Sequence, residues 1–424
     1  MDDMYTEFMN RCKTERECVA EIKMFAEESG FRDIKSLSTL SKGDKIYSVN
    51  RGRSLILMSI GELDKIRIVA SHIDSPRLDL KQRPLYEDDD SALGMLETHY
   101  YGGIKKYQWV GIPLAIHGVV ARDGRTMEFV VGEEDNSFTI ADLPPHLGKK
   151  QGEQKISDAI TGEELDLIAG GGGSDKKVKE ALLRTLKEKH GLIEADFVRA
   201  DLEVVPAFRA RKLGFDGSMI GAYGQDDRIC AFASMRAIGD VGDVDNTPMA
   251  LFFDKEEVGS DGNTGMTSAF FENFLNEVVE KSSVDTKLYR ILETAKAISA
   301  DVTAAIHPNH KDLQDIKNSA RLGGGIAIEK FTGHGGKYSA SEATAEYISE
   351  IIDLFDRNGV VWQSNDLGKV DEGGGGTVAK FLARHNMDVI DAGPAILGMH
   401  SPFEVSSLRD LEESVKAYLA FFRS

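Results

Sequence analysis

Five short elements of this sequence carry side chains able to hold metal ions or move protons: His72-Ile73-Asp74, Asp226-Asp227, Glu256-Glu257, Asp301 and His400. Each lies beside a run that reads as a strand or a buried segment, with Asp226 at the start of a helix. Two imidazoles with three or more carboxylates form the donor set that borderline divalent metals such as zinc accept, in preference to Mg²⁺ or Ca²⁺. A carboxylate between two such ions can bridge them and leave room for a shared water. Ions ~3.5–4 Å apart activate that water at neutral pH and polarise a carbonyl. At strand spacing, His72 and Asp74 share a face, so Asp74 can hold the second ring nitrogen of a metal-bound His72. Adjacent Glu256 and Glu257 at a strand end point opposite ways. One can bind metal while the other takes a proton from the attacking water. Taken singly these patterns are weak, because adjacent acids are common among 70 Asp and Glu residues and an Asp-Asp before a helix is most often a cap. Their combination in one framework carries the reading.

That framework is an α/β chain interrupted by a β-rich insert. Thr14-x-x-Glu17 has capping-box spacing, Val19, Ile22 and Phe25 share a helical face, and Gly30 supplies a stop. The apolar runs 54–60 and 66–70 read as buried strands, and the second delivers His72 at its C-terminal end, where open α/β sheets bind ligands. From about 86 to 211 the texture becomes short strands with turn punctuation, followed by a helix holding Val178, Leu182 and Leu186. After Gly224 the α/β rhythm returns: a helix over 229–238, a strand over 249–254, helices over 268–279 and 288–297, and a last helix from Ser407-x-x-Asp410. The division expected is therefore 1–85 with 212–424 as one discontinuous domain and 86–211 inserted. Neither glycine run is a P-loop. Gly170 to Lys176 reads as a flexible loop. Gly373 to Gly376 offers backbone amides to a substrate carbonyl or carboxylate, or marks a close backbone approach in the core.

Composition limits the partners. The 424 residues carry 51 Lys and Arg against 70 Asp and Glu, a formal net charge of −19. This balance argues against nucleic acid or an anionic membrane, both of which recruit basic surfaces. At 41% hydrophobic and 29% charged the chain can build a large core. Three cysteines without CxxC spacing suit a reducing compartment. No run approaches the ~20 apolar residues of a membrane helix. A soluble, cytoplasmic protein is expected.

Ser71-His72-Ile73-Asp74-Ser75-Pro76-Arg77-Leu78, Gln225-Asp226-Asp227, Asp254-Lys255-Glu256-Glu257-Val258-Gly259-Ser260, Ser299-Ala300-Asp301-Val302 and Gly398-Met399-His400-Ser401-Pro402 resemble, in order along nearly the whole chain, the aspartyl aminopeptidases. These are dinuclear zinc metallo-aminopeptidases. The resemblance implies a three-layer αβα zinc-exopeptidase domain with an inserted β-rich dimerisation domain. It also implies release of N-terminal amino acids from peptides with a free N-terminus. Two divalent ions per subunit are implied, zinc first, with cobalt or manganese also compatible. His72 and Asp301 would hold one ion, Glu257 and His400 the other, and Asp226 would bridge. Glu256 would be the general base, Asp74 would orient His72, and the Asp226–Asp227 peptide bond would be cis. Self-association to dimers and a tetrahedral dodecamer is implied. His146 is then either the histidine that reaches a neighbouring subunit's site or an ordinary surface residue. For an acidic N-terminal residue, Lys330 or Lys337 would supply the positive charge. The segment 331–341 departs from the sequence of acid-specific members, so a broader preference is equally compatible. The competing functions are a metal-dependent deacylase or carboxypeptidase, and a shell-forming scaffold with a vestigial metal site.

Overall fold

In a computed structural model that describes residues 1–134, 136–171 and 177–424, the chain forms two units. One comprises 1–75, 210–399 and 403–424, and the other 76–209 with 400–402.

The first unit is organised by β1 (Arg32–Asp33), β2 (Lys45–Asn50), β3 (Ser54–Ser59), β4 (Glu62–His72), β5 (Asn246–Phe253), β6 (Lys296–Ser299), β7 (Ile326–Glu329), β8 (Trp362–Ser364) and β9 (Asp388–Gly393). They form one sheet in the order β1-β2-β3-β5-β4-β6-β9-β7-β8. The central strands β5, β4, β6 and β9 run parallel. Their register sets Phe253 beside His72, and Ser299 beside both Ala70 and Asp391. The loops leaving β4, β5 and β6 therefore emerge from one edge of the sheet at nearly one height.

Because strand side chains alternate faces, each central strand feeds two cores. Leu55, Leu57, Val69, Phe252, Ile298 and Ile390 pack in one cluster with Tyr5, Ile22, Phe232, Tyr347 and Tyr418 from helices. Ile56, Met58, Ile68, Leu251, Phe253 and Val389 pack in the other with Phe271, Phe274, Ile291 and Phe381. Helices thus cover both faces of the sheet, which is the three-layer α/β architecture. Phe252 and Phe253, fully buried on opposite faces, each contribute roughly 1.5–3 kcal/mol by burial.

The capping box is formed: Thr14 accepts from the Glu17 N–H at 3.3 Å and donates its own N–H to the Glu17 carboxylate at 2.8 Å. A helix at Asp2–Arg11 precedes it, which the sequence reading left unassigned although Tyr5, Phe8 and Met9 supply its buried side. The helix expected over 288–297 is shorter. It runs Leu288–Thr294, and Lys296–Ser299 becomes the strand that leads to Asp301, because Ala297, Ile298 and Ser299, buried in succession, fill a slot between two parallel strands.

The second unit holds a six-stranded antiparallel sheet, in spatial order Arg125–Val131, Leu114–Arg122, Ala200–Pro206, Arg77–Asp88, Leu93–Tyr101 and Leu167–Gly171. The helix Val178–His190 packs on it. Of the first glycine run, Gly170 and Gly171 close the last of these strands, and the rest of the expected loop, 172–176, lies outside the described residues. Among the described residues no helix is long and apolar enough to cross a membrane.

Candidate metal centre

The loops leaving β4, β5 and β6, together with the start of the Gln225–Gly239 helix, carry the chemistry. His72 ends β4 and is buried. Its Nδ1 faces Asp74, 3.1 Å from the backbone carbonyl and 3.3 Å from the carboxylate. Its Nε2 faces Asp226 Oδ1 at 3.2 Å and Asp301 Oδ1 at 3.8 Å. The Asp74 carboxylate, itself fully buried, also accepts the N–H groups of Glu256 (3.1 Å) and Glu257 (3.3 Å). One side chain thus fixes the ring of His72 and the turn Glu256–Val258 that follows β5.

Asp226 is delivered by a glycine. Gly224 has φ +72°, and a Cβ there would lie 2.1 Å from the Arg228 guanidinium and 2.8 Å from Ser75 Oγ. The Asp226–Asp227 peptide bond is cis, the geometry that the resemblance implies. Asp227 turns its carboxylate to the His72 N–H at 3.3 Å. Asp301 passes close to β9, where a Cβ on Gly393 would lie 2.0 Å from the Asp301 carbonyl oxygen.

Two overlapping donor groups result. His72, Asp226 and Glu257 each offer a ligand atom within 4.8 Å of the others, and so do His72, Asp227 and Asp301. Burial pushes the Asp227 and Asp301 carboxyls well above the usual carboxylate range. For Asp301 the negative charges of Asp227, Asp226 and Glu256 add to this, against the opposing pull of His72. Burial acts to lower the His72 pKa, but hydrogen bonds with Asp226 and Asp74 and the Asp301 charge outweigh it and hold the imidazolium well above its usual range. The cluster carries more negative charge than its imidazole can balance. A divalent cation supplies the missing charge, and imidazole with carboxylate oxygens is a donor set that zinc accepts.

The other residues singled out by the sequence are placed as follows. Glu256 is half-buried beside Glu257 in the turn after β5. His400 falls with the second unit, where its Nδ1 lies 2.9 Å from the Gly103 carbonyl. Among the described residues it is in neither donor group. His146 sits in an exposed turn and Lys330 is exposed. Lys337 pairs with Glu342 at 2.8 Å and lies 4.1 Å from the centre of the Phe331 ring. The second glycine run makes a close backbone approach, but at the surface and not in the core as expected, since Gly374 is exposed. Gly374 and Gly375 pair with His334 and Gly333, and a Cβ on Gly374 would lie 2.3 Å from the Gly333 carbonyl oxygen.

Sequence reasoning gave no ligand role to Asp227, although an adjacent acid pair is itself the signal. It also missed Glu404, buried, whose carboxylate accepts the Asp226 N–H at 3.1 Å. No local pattern marks that residue.

A buried imidazole and acid cluster at the carboxyl ends of parallel strands, inside a three-layer α/β frame, defines the class of α/β metallohydrolases. Comparison with known proteins narrows it. Residues 8–422 match the family described as aminopeptidase I zinc metalloprotease (M18). A probable M18 family aminopeptidase 1 of Clostridium acetobutylicum is 46% identical over 441 residues, covering 100% of this chain and 94% of that protein. The crystal structure of the Thermotoga maritima M18 aminopeptidase superposes with a TM-score of 0.95 at 45% identity, covering 100% of this chain and 95% of that one. At 20% identity, the S. cerevisiae mApe1 dodecamer shares the fold, with a TM-score of 0.80 over 99% of this chain and 95% of that one. The chain belongs to the M18 aminopeptidase family, and it is a zinc metalloprotease that acts on peptides.

Proposed function

We propose that this aminopeptidase works with two divalent ions held by His72, Asp226, Glu257, Asp301 and His400, with Glu256 as general base. The observation that carries the reading is the pair of overlapping donor groups that share His72. When bound, the ions supply Lewis acidity that polarises the scissile carbonyl and acidifies the attacking water. Glu256 takes the proton of that water and later delivers it to the leaving amine. Asp74 keeps Glu256 in place through the backbone, since its carboxylate accepts the Glu256 and Glu257 N–H groups. Donation from His400 Nδ1 to the Gly103 carbonyl leaves Nε2 as the ligand atom, the usual arrangement for a ligating histidine. Asp226 would offer its carboxylate to both ions, and Asp227 turns its own to the His72 N–H. Zinc is the expected metal, and Co²⁺ and Mn²⁺ accept the same donors.

The substrates are peptides with a free α-amine. Lys330 or Lys337 is the lysine proposed to meet an acidic N-terminal side chain, and the pairing of Lys337 with Glu342 favours Lys330. We read the β-rich insert, 86–211, as a dimerisation domain, with dimers joining into a tetrahedral dodecamer in the cytoplasm. The dodecamer of a yeast protein sharing this fold supports that reading. In such an assembly the exposed His146 is available to a neighbouring subunit's site.

The test pairs metal analysis with a peptide panel. Two ions per chain and release of free N-terminal amino acids are expected, with N-acetylated peptides resistant. Cleavage of acetylated peptides at the same bond would overturn recognition of the free amine. A metal-free yet fully active enzyme would overturn the site.

A further inference from the structure

The Asp226 N–H is a buried donor in the first turn of the Gln225–Gly239 helix, where N–H groups have no acceptor within the helix. Such a group must find an acceptor. Here the acceptor is the Glu404 carboxylate, at 3.1 Å, on a residue only 1% exposed. On the other side of the same residue, the Asp226 carbonyl accepts from the hydroxyl of fully buried Ser75 at 2.8 Å. The main chain of Asp226 is therefore held at both polar groups, and its carboxylate projects from between them toward His72.

Glu404 is itself fixed. It opens the strand Glu404–Ser407 and pairs opposite Ala222, four residues before Asp226. Its carbonyl accepts from Gln225 Nε2 at 2.7 Å. Gln225 is fully buried and uses both ends of its amide. Nε2 also donates to the Ile220 carbonyl at 3.3 Å, and Oε1 accepts from Tyr5 Oη at 3.0 Å and from the Ser406 hydroxyl. A chain of satisfied polar groups thus runs from the Asp2–Arg11 helix through Gln225 and Glu404 to Asp226. A backbone carbonyl or an amide would serve as well to satisfy one N–H. A carboxylate adds a further buried negative charge beside a centre already rich in acids, which is costly unless cations stand nearby.

We propose that Glu404 is a positioning residue for the metal centre: with Ser75 it clamps the main chain of Asp226, so that the Asp226 carboxylate is presented to the ions in one orientation and in a more negative field. This rests on the metal-site reading above, and residues of this kind characteristically change metal affinity about 10–100-fold. The experiment measures zinc affinity by competition with a chromophoric chelator, on full-length wild type, Glu404→Gln, Glu404→Ala and Ser75→Ala. Unfolding of each metal-free protein is followed in parallel. Glu404→Gln keeps an oxygen acceptor and loses the charge, so zinc Kd should rise about 10-fold with the metal-free unfolding midpoint unchanged. Glu404→Ala should approach about 100-fold, and Ser75→Ala should move Kd the same way. With zinc saturating, kcat should fall in Glu404→Ala while KM for the peptide stays near wild type. Folded Glu404→Gln and Ser75→Ala proteins with wild-type zinc affinity would overturn the proposal, as would a lowered metal-free midpoint with no change in Kd. Should Glu404→Ala not fold, these two variants still decide it. A wild-type protein that binds no zinc would instead refute the metal-site reading.

Discussion

Glu329 ends β7 with its side chain buried, directly opposite Asp391 of β9. Burial pushes its carboxyl up to about 7 from an ordinary 4.5. Hydrogen bonds from Thr303 and Asn365 oppose the shift, and the charges of Asp391 and Asp366 add to it. Asp391 is raised to about 6 by burial. A carboxyl that holds its proton more tightly when folded contributes its full stability below the unfolded pKa and loses it as pH rises toward the folded one. For Glu329 that window runs from 4.5 to about 7. The full shift corresponds to about 3 kcal/mol, of which about 2 kcal/mol is lost between roughly pH 5.5 and 8.5. Glu329→Gln keeps the shape and an acceptor for Asn365 but cannot ionise. Urea unfolding of metal-saturated wild type and variant at the two pH values should show the wild type losing about 2 kcal/mol more than the variant on going to the higher pH. Metal-linked pH effects are common to both proteins and cancel in the comparison, whereas the Asp391 charge, which acts on Glu329 itself, is part of the difference that is read. Parallel pH dependence would refute the reasoning, because it would mean that Glu329 is ionised in the folded protein throughout the range or is not buried in it.

Three further outcomes are expected. Glu256→Gln should retain its metal content while losing about 10²–10⁴-fold in kcat, and a variant with wild-type turnover would reassign the base. Chelation should abolish hydrolysis and lower the unfolding midpoint, since a ligand at 100 times its Kd stabilises by about 2.7 kcal/mol. An unchanged midpoint after verified metal removal would contradict the idea that the acid cluster needs cations. His146→Ala should lower kcat in the assembled enzyme with the metal content intact, and unchanged kcat would leave His146 as an ordinary surface residue.

What the sequence displayed was the part of the site that is local. His72 ends, and Glu256 follows, an apolar run that becomes a central strand, and parallel strands deliver their following loops to one edge of the sheet; the strand before Asp301 was in part expected as helix. Position after a strand is therefore readable from periodicity alone, as is the capping box at Thr14. The helix Asp2–Arg11 was legible in principle, since its acidic first turn and the spacing of Tyr5, Phe8 and Met9 both favour a helix, and the packing of Tyr5 and Phe8 on Phe232 shows what that face buries. The antiparallel entry of β7 beside β9 was invisible, since strand direction is a property of the connection and not of the four residues concerned.

The long-range half of the site obeys a different logic. Glu404 meets Asp226 across 178 positions of sequence, and nothing near Glu404 distinguishes it from the other acids of the chain. It can be found only by asking where a buried N–H finds its acceptor. Asp227 is the converse case: the pair Asp226-Asp227 was conspicuous, but that Asp226 faces the His72 imidazole while Asp227 accepts the His72 main-chain N–H is visible only in the folded chain. A ligand list follows from residue type and spacing, whereas the positioning of those ligands follows from the hydrogen-bond accounting of the folded chain. On that view, substitutions at Glu404 and Ser75 should disturb the centre more than substitutions at many of its more obvious acidic neighbours on the surface. Those surface carboxylates are solvated, whereas Glu404 and Ser75 hold the one backbone segment from which Asp226 projects.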